Sequence, residues 1–201
     1  MANNLVNTVR GPVPADQLGL VLPHEHLIVD TYDIRRSAEM VLLEPETMVK
    51  EVALFKAAGG STMVDQTIYG LHPDPEKLVY ISEKTGVHII AGTGFYWDVY
   101  YPEWLHSMST ADITKRLVSH ITEGLPGTKI KAGFIGELGT HHREIKATEK
   151  RVLEAAAHAQ KETGTPIGTH ALFTEIGIYQ LNILLHSLPQ LNFYTLCSIF
   201  F

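Results

Sequence analysis

The 201-residue chain is poor in several things, and each shortage excludes a class of protein. It has one cysteine, Cys197, so no internal disulfide framework can form and the cytoplasm is the expected compartment. It has no excess of basic charge: 16 Lys and Arg stand against 22 Asp and Glu, a net −6, which leaves no footprint for nucleic acid. Met1-Ala2-Asn3-Asn4-Leu5 has neither a basic start nor an apolar core, so no secretory signal is expected. No apolar run approaches the roughly 20 residues of a membrane helix. No HExxH zinc-protease signature occurs, and Gly92-Thr93-Gly94 lacks the third glycine of a dinucleotide-binding turn. From Ile176 onward there is no Asp, Glu, Lys or Arg at all. What is present is ordinary for a soluble domain (45% apolar, 19% charged), together with a generous eleven histidines, most of them expected at the surface.

Apolar strand-like runs and amphipathic helices alternate along the chain. After a hairpin-like lead-in at Val6–Pro14, a strand is expected over Gly19–His26. A helix opens at Pro45, with Val49, Val52, Leu54, Phe55 and Ala58 as its apolar side and Gly59-Gly60 as its stop. Strands then recur at Ser61–Thr67, Val87–Gly92, Lys131–Leu138 and Pro166–His170. Helices are expected between them from Asp74 to a stop at Gly86, from Ser109 or Thr110 to Gly124, and over Thr148–Thr163 with Gly164 as its stop. Five such alternations argue for an α/β fold with a parallel sheet and right-handed crossovers, and fit a closed barrel and an open doubly wound sheet equally.

The densest chemical signal is Leu22-Pro23-His24-Glu25-His26-Leu27. On a strand, side chains two residues apart share a face, so His24 and His26 point one way and Glu25 the other. Two imidazoles so placed can share a metal ion, although they can also be ordinary polar residues at a strand end. Glu137 and His170 fall at the ends of the fourth and fifth expected strands, the rim that carries catalytic residues in a barrel. Taken singly, Glu137 reads equally as a solvated charge and His170 as a loop hydrogen-bonder. Together with the histidine pair they describe a site where one carboxylate, between imidazoles, bridges two metals about 3.5–4 Å apart. Such a pair makes hydroxide available near neutral pH.

Four separated motifs, in order, resemble the phosphotriesterase family of the amidohydrolase superfamily. They are Leu22–Leu27, Ile89–Tyr96, Ala132–Thr140 and Pro166–His170, and the likeness runs from about Val9 to Leu185. The resemblance implies a TIM (β/α)8-type barrel, here with about five to six of its eight βα units. It also implies a metal-dependent hydrolase of ester, lactone or phosphotriester bonds acting through metal-bound hydroxide. His24 and His26 would hold the more buried of two divalent ions and His170 the more exposed one. Glu137 would bridge them in place of the carboxylated lysine of many members. Zinc is the first expectation, with cobalt, manganese or iron accepted by the same ligands. Tyr96 matches a loop tyrosine that lies against the substrate in lactonase-like relatives, although it can also be simply pocket wall or core, as Phe95 and Trp97 are expected to be.

The family pattern also carries a metal histidine on strand six and a proton-shuttling aspartate on strand eight, and neither has a counterpart here. Residues 186–201 form an uncharged tail that departs from the pattern, so the chain reads as one partial barrel domain over 1–201. Open strand edges would then favour a marginal, aggregation-prone or homo-oligomeric product. The expected partner is a small-molecule substrate, with neither nucleic acid nor membrane. The competing expectation is a catalytically silent family member that binds at most one metal or serves as an interaction fragment.

Overall fold

The structure, a computed structural model, describes residues 5–187 and the strand 196–200. The readings made on Met1–Asn4, and on the tail beyond Ser187 apart from that strand, lie outside the described residues. In chain order the elements begin with β1 (Leu5–Thr8), β2 (Gly11–Pro14), β3 (Val21–Glu25), β4 (Val29–Asp30), α1 (Tyr32–Arg35), β5 (Val41–Leu42) and α2 (Pro45–Ala57). They continue with β6 (Thr62–Asp65), α3 (Pro75–Thr85), β7 (His88–Thr93), α4 (Glu103–His106), α5 (Thr110–Thr122), β8 (Phe134–Gly139), α6 (Ala147–Thr163), β9 (Ile167–Ala171), α7 (Thr174–Ser187) and β10 (Leu196–Phe200).

The helix boundaries have local causes. Asp74 accepts the Lys77 N–H at 3.1 Å ahead of α3, and Ser109 accepts the Asp112 N–H at 3.2 Å ahead of α5. Gly86 and Gly164 end α3 and α6 in the left-handed conformation, at φ 71° and 73°. On α2 the expected apolar side needs correction. Val52 is fully buried, whereas Leu54 is 66% exposed and Ala58 is also exposed. At about 100° per residue Leu54 sits some 200° round from Val52, so the two cannot share a face. The packing face is Met48, Val49, Val52 and Phe55.

Six strands form one parallel sheet in the order β3-β6-β7-β8-β9-β10, which is also their chain order. A doubly wound sheet reverses its strand order at a switch point; this one never does, and so follows the barrel alternative. Five βα units and a sixth strand make an arc of a (β/α)8-type barrel. The sixth strand, β10, comes from the uncharged tail and pairs in parallel with β9 from Leu196↔Ile167 to Phe200↔Ala171.

The core lies between sheet and helices, around Ile81, Ile89, Ile113, Leu117, Ile135, Leu153 and Ile167. The β1–β2 hairpin closes the end where strands start: Asn7 Nδ2 donates to the Ile121 and Ala132 carbonyls at 3.0 Å each, and the Val9 N–H to Ile89 O at 2.8 Å. At Gly136 (φ 138°) an added Cβ would lie 2.3 Å from Gly168 O, so β8 can approach β9 this closely only with glycine there. Among the described residues no helix is long and apolar enough to cross a membrane.

Candidate metal centre

β3, β8 and β9 bring their C-terminal ends together, and with them three histidines around one glutamate. His24 Nε2 lies 3.2 Å from Glu137 Oε2, His26 Nε2 3.3 Å from Oε1, and His170 Nδ1 3.1 Å from Oε2. The imidazoles of His24, on β3, and His26, one residue past its end, meet edge to face, 5.3 Å between centroids. Ligand atoms of His24, His26 and Glu137 all fall within 4.8 Å of one another. His170 touches the same carboxylate from the opposite strand but stands outside that set of three. Two imidazole nitrogens and a carboxylate oxygen are the donor types that borderline divalent metals accept. All four residues that the sequence nominated thus meet in one place.

The carboxylate of Glu137 is 4% exposed. Burial alone would raise its pKa, but hydrogen bonds from His170, His24 and His26 outweigh it and hold the group well below the usual carboxylate range. It is therefore an anion at neutral pH, a buried negative charge facing three imidazoles. For His26, burial lowers the pKa and the Glu137 carboxylate raises it, and the net direction is upward.

Residues that sequence reasoning did not single out hold this cluster in place. His26 Nδ1 pairs with Thr67 Oγ1 at 3.0 Å, leaving Nε2 to face Glu137. Asp65, fully buried, accepts the Leu27 N–H at 2.7 Å and the Thr67 N–H at 3.0 Å, tying the segment after β3 to the segment after β6. Gln66 Nε2 donates to Pro23 O at 2.9 Å, one residue before His24, while Gln66 O accepts the Glu137 N–H at 3.2 Å. Gln180 of α7, also fully buried, donates to His170 O and to Thr140 Oγ1 at 2.8 Å each. Glu149 accepts the N–H groups of His141 and Lys146, each at 2.8 Å, and so fixes the loop after β8. Asp65-Gln66-Thr67 at a strand end was a readable signal; the role of Gln180, inside a helix, was not.

Over the cluster opens a cavity of about 650 Å³, walled by Arg35, Leu71, Tyr96, Trp97 and Leu172 among others. Tyr96 enters from the loop after β7, with its N–H held by Tyr69 O at 2.9 Å and its ring centroid 5.6 Å from that of His170. Burial, with the Glu137 charge adding to it, pushes the Tyr96 phenol up, so the hydroxyl keeps its proton and can donate a hydrogen bond. Phe95 is core, at 2% exposure, and Trp97 is half-buried cavity wall, as expected for both.

Known proteins resemble this chain in sequence and in fold. The chain is 36% identical over 195 residues to the N-acetyltaurine hydrolase of Rattus norvegicus, covering 82% of this chain and 56% of that protein. Among solved structures, the phosphotriesterase homology protein of Escherichia coli, crystallised with phosphate in its active site, superposes with a TM-score of 0.84 at 28% identity. That match covers 91% of this chain and 62% of the other. The lactonase Lmo2620 of Listeria monocytogenes also gives 0.84, at 26% identity, over 92% and 62% of the two chains. The chain thus spans a little over half the length of the curated relative and somewhat more of the solved structures. The model of the phosphotriesterase family matches residues 4–190, and the chain belongs to that family.

Proposed function

We propose that this chain carries the metal-binding half of a hydrolase site, in which His24, His26 and Glu137 hold one divalent cation and His170 shares Glu137 with a second. The observation that carries the reading is the single buried carboxylate contacted by three imidazoles at 3.1–3.3 Å. Neutral imidazole and ionised carboxylate are what zinc, and equally cobalt, manganese or iron, require of their ligands. When bound, the ions would supply Lewis acidity, lowering the pKa of water toward neutrality and polarising the bond under attack.

The chain's own groups have separate tasks. Glu137 keeps its charge and offers one oxygen to His26 and the other to His24 and His170, an arrangement suited to a bridge. The Asp65–Thr67 pair orients His26. Tyr96, protonated and at the cavity wall, donates a hydrogen bond to a substrate oxygen, and the apolar wall excludes water from the reacting bond. The substrate class is a carboxylic ester, lactone or phosphotriester. Acyl amides join it because the rat relative is named for one.

A second reading, a catalytically silent chain holding at most one cation, draws on β10. Leu196-Cys197-Ser198-Ile199-Phe200 contains neither histidine nor carboxylate, so the strand beside β9 adds no ligand of either kind.

Zinc stoichiometry by elemental analysis, paired with turnover of a nitrophenyl ester, a γ-lactone and N-acetyltaurine, tests both. Two zinc per chain with turnover above free metal supports the hydrolase, and one zinc without turnover supports the silent reading. Undiminished uptake after His24→Ala and His26→Ala together overturns the ligand assignment under either.

A further inference from the structure

Among the described residues, the helical layer outside the sheet is open between two of its helices. α2 packs on α3, α5 on α6 and α6 on α7, whereas α3 and α5 barely meet. Between them lies a second cavity of about 610 Å³, which shares no lining residue with the cavity over Glu137. Its size falls within the roughly 300–1,000 Å³ of small-molecule sites.

One wall is aromatic. The rings of Tyr69 and Phe95 lie 5.8 Å apart, Phe95 and Trp104 5.8 Å, and Tyr69 and Trp104 6.3 Å. Tyr69 and Trp104 remain 44% and 40% exposed, so aromatic surface stays open beside the cavity.

The charges around the cavity do not cancel. Lys77 is taken up by Asp74 at 3.6 Å and by the Leu43 carbonyl at 3.0 Å. Arg116 has its guanidinium carbon 4.4 Å from the Trp104 ring centroid and, among the described residues, no carboxylate partner. A guanidinium held over an aromatic ring and paired with no carboxylate can still offer its fork of N–H donors to a bound carboxylate. His120 also lines the cavity, its Nδ1 2.7 Å from Thr93 Oγ1. Burial, helped by the Arg116 charge, lowers its pKa to about 4, so it adds no second cation at neutral pH. His72, the remaining titratable group at the rim, lies 4.0 Å from Asp33. One uncompensated positive charge beside an aromatic wall matches one negative charge on an apolar body; a dianionic phosphate would leave its second charge unmet.

We propose that this cavity is a second small-molecule site that takes a monocarboxylate with an aromatic or branched apolar body, its carboxylate on Arg116 and its body against Tyr69, Phe95 and Trp104. The site does not depend on the metal reading.

Calorimetric titration of the chelator-treated full chain with 3-phenylpropionate tests it. Saturable one-to-one binding is expected, at least tenfold weaker for 3-phenylpropionamide and for Arg116→Gln, intermediate for Arg116→Lys, and unchanged in the His24→Ala, His26→Ala protein. Arg116 is exposed on α5, so its replacement leaves the fold intact. The proposal is overturned by absent saturation, by equal binding of the amide, or by full affinity in Arg116→Gln. Tighter binding of phenyl phosphate overturns the carboxylate assignment, and loss of binding with His24 and His26 places the ligand at the other cavity.

Discussion

Replacing Asp65 with asparagine should separate the scaffold of the centre from its ligands. The carboxylate is fully buried and accepts two backbone N–H groups, from Leu27 at 2.7 Å and Thr67 at 3.0 Å. Asparagine keeps one acceptor and turns an NH2 toward the other N–H, leaving a buried donor unpaired. Hydrogen bonds to a charged group contribute about 1.5–3 kcal/mol, and an orphaned buried donor costs about 1–3 kcal/mol. Against this, burial pushes the Asp65 pKa up, so part of the cost of holding the charge is relieved when it is removed. The balance is a loss of about 2 kcal/mol, readable as a lower urea midpoint at unchanged slope. Through Thr67, the same change loosens His26, and groups orienting metal ligands are worth about 10–100-fold in affinity. Zinc competition against a chromophoric chelator should therefore show a fall in that range. Thr67→Val, nearly isosteric, should lower zinc affinity with far less loss of stability. Wild-type zinc affinity in both variants would refute the claim that the Asp65–Thr67 pair orients His26.

Two further outcomes are expected. His120 titrates at about 4 when folded, because burial and then Arg116 disfavour its charge, against about 6.5 unfolded. With the folded pKa depressed, its contribution is full above pH 6.5 and is lost as pH falls toward 4, amounting to about 2 kcal/mol by pH 5. Chelator-treated wild type should lose that much more stability than His120→Gln between pH 7.5 and 5, and parallel pH profiles would contradict it. Tyr96→Phe keeps the ring and removes the donor, so turnover should fall about tenfold, a loss of about 1.4 kcal/mol, with zinc uptake unchanged. An equal fall in zinc uptake would make Tyr96 a structural support of the centre instead.

Much of the site was legible because its ligands obey local rules. The period of two, carried one residue past β3, puts His24 and His26 on one side, and Glu137 and His170 stand at strand ends. The residues that hold them were not legible in the same way, since the bonds of Thr67 to His26 and Gln180 to His170 O cross between elements and leave no periodic trace. The hairpin, the helix stops at Gly86 and Gly164, and the parallel order followed from turn chemistry and alternation. Leu54 and Ala58 are apolar yet lie off the packing face of α2, because apolar composition alone does not fix a residue's angle about the helix axis. Histidine number suggested surface positions for most, whereas His120 is half-buried, its Nδ1 bonded to Thr93 Oγ1. The tail matched no expected motif, and its last residues nevertheless pair with β9, since main-chain pairing asks little of side-chain identity.

Zinc-edge anomalous diffraction from crystals of the zinc-loaded chain addresses the centre most directly. The account predicts a peak about 2.0–2.2 Å from His24 Nε2, His26 Nε2 and an oxygen of Glu137. A peak elsewhere on the chain, or none at these three side chains, would contradict it.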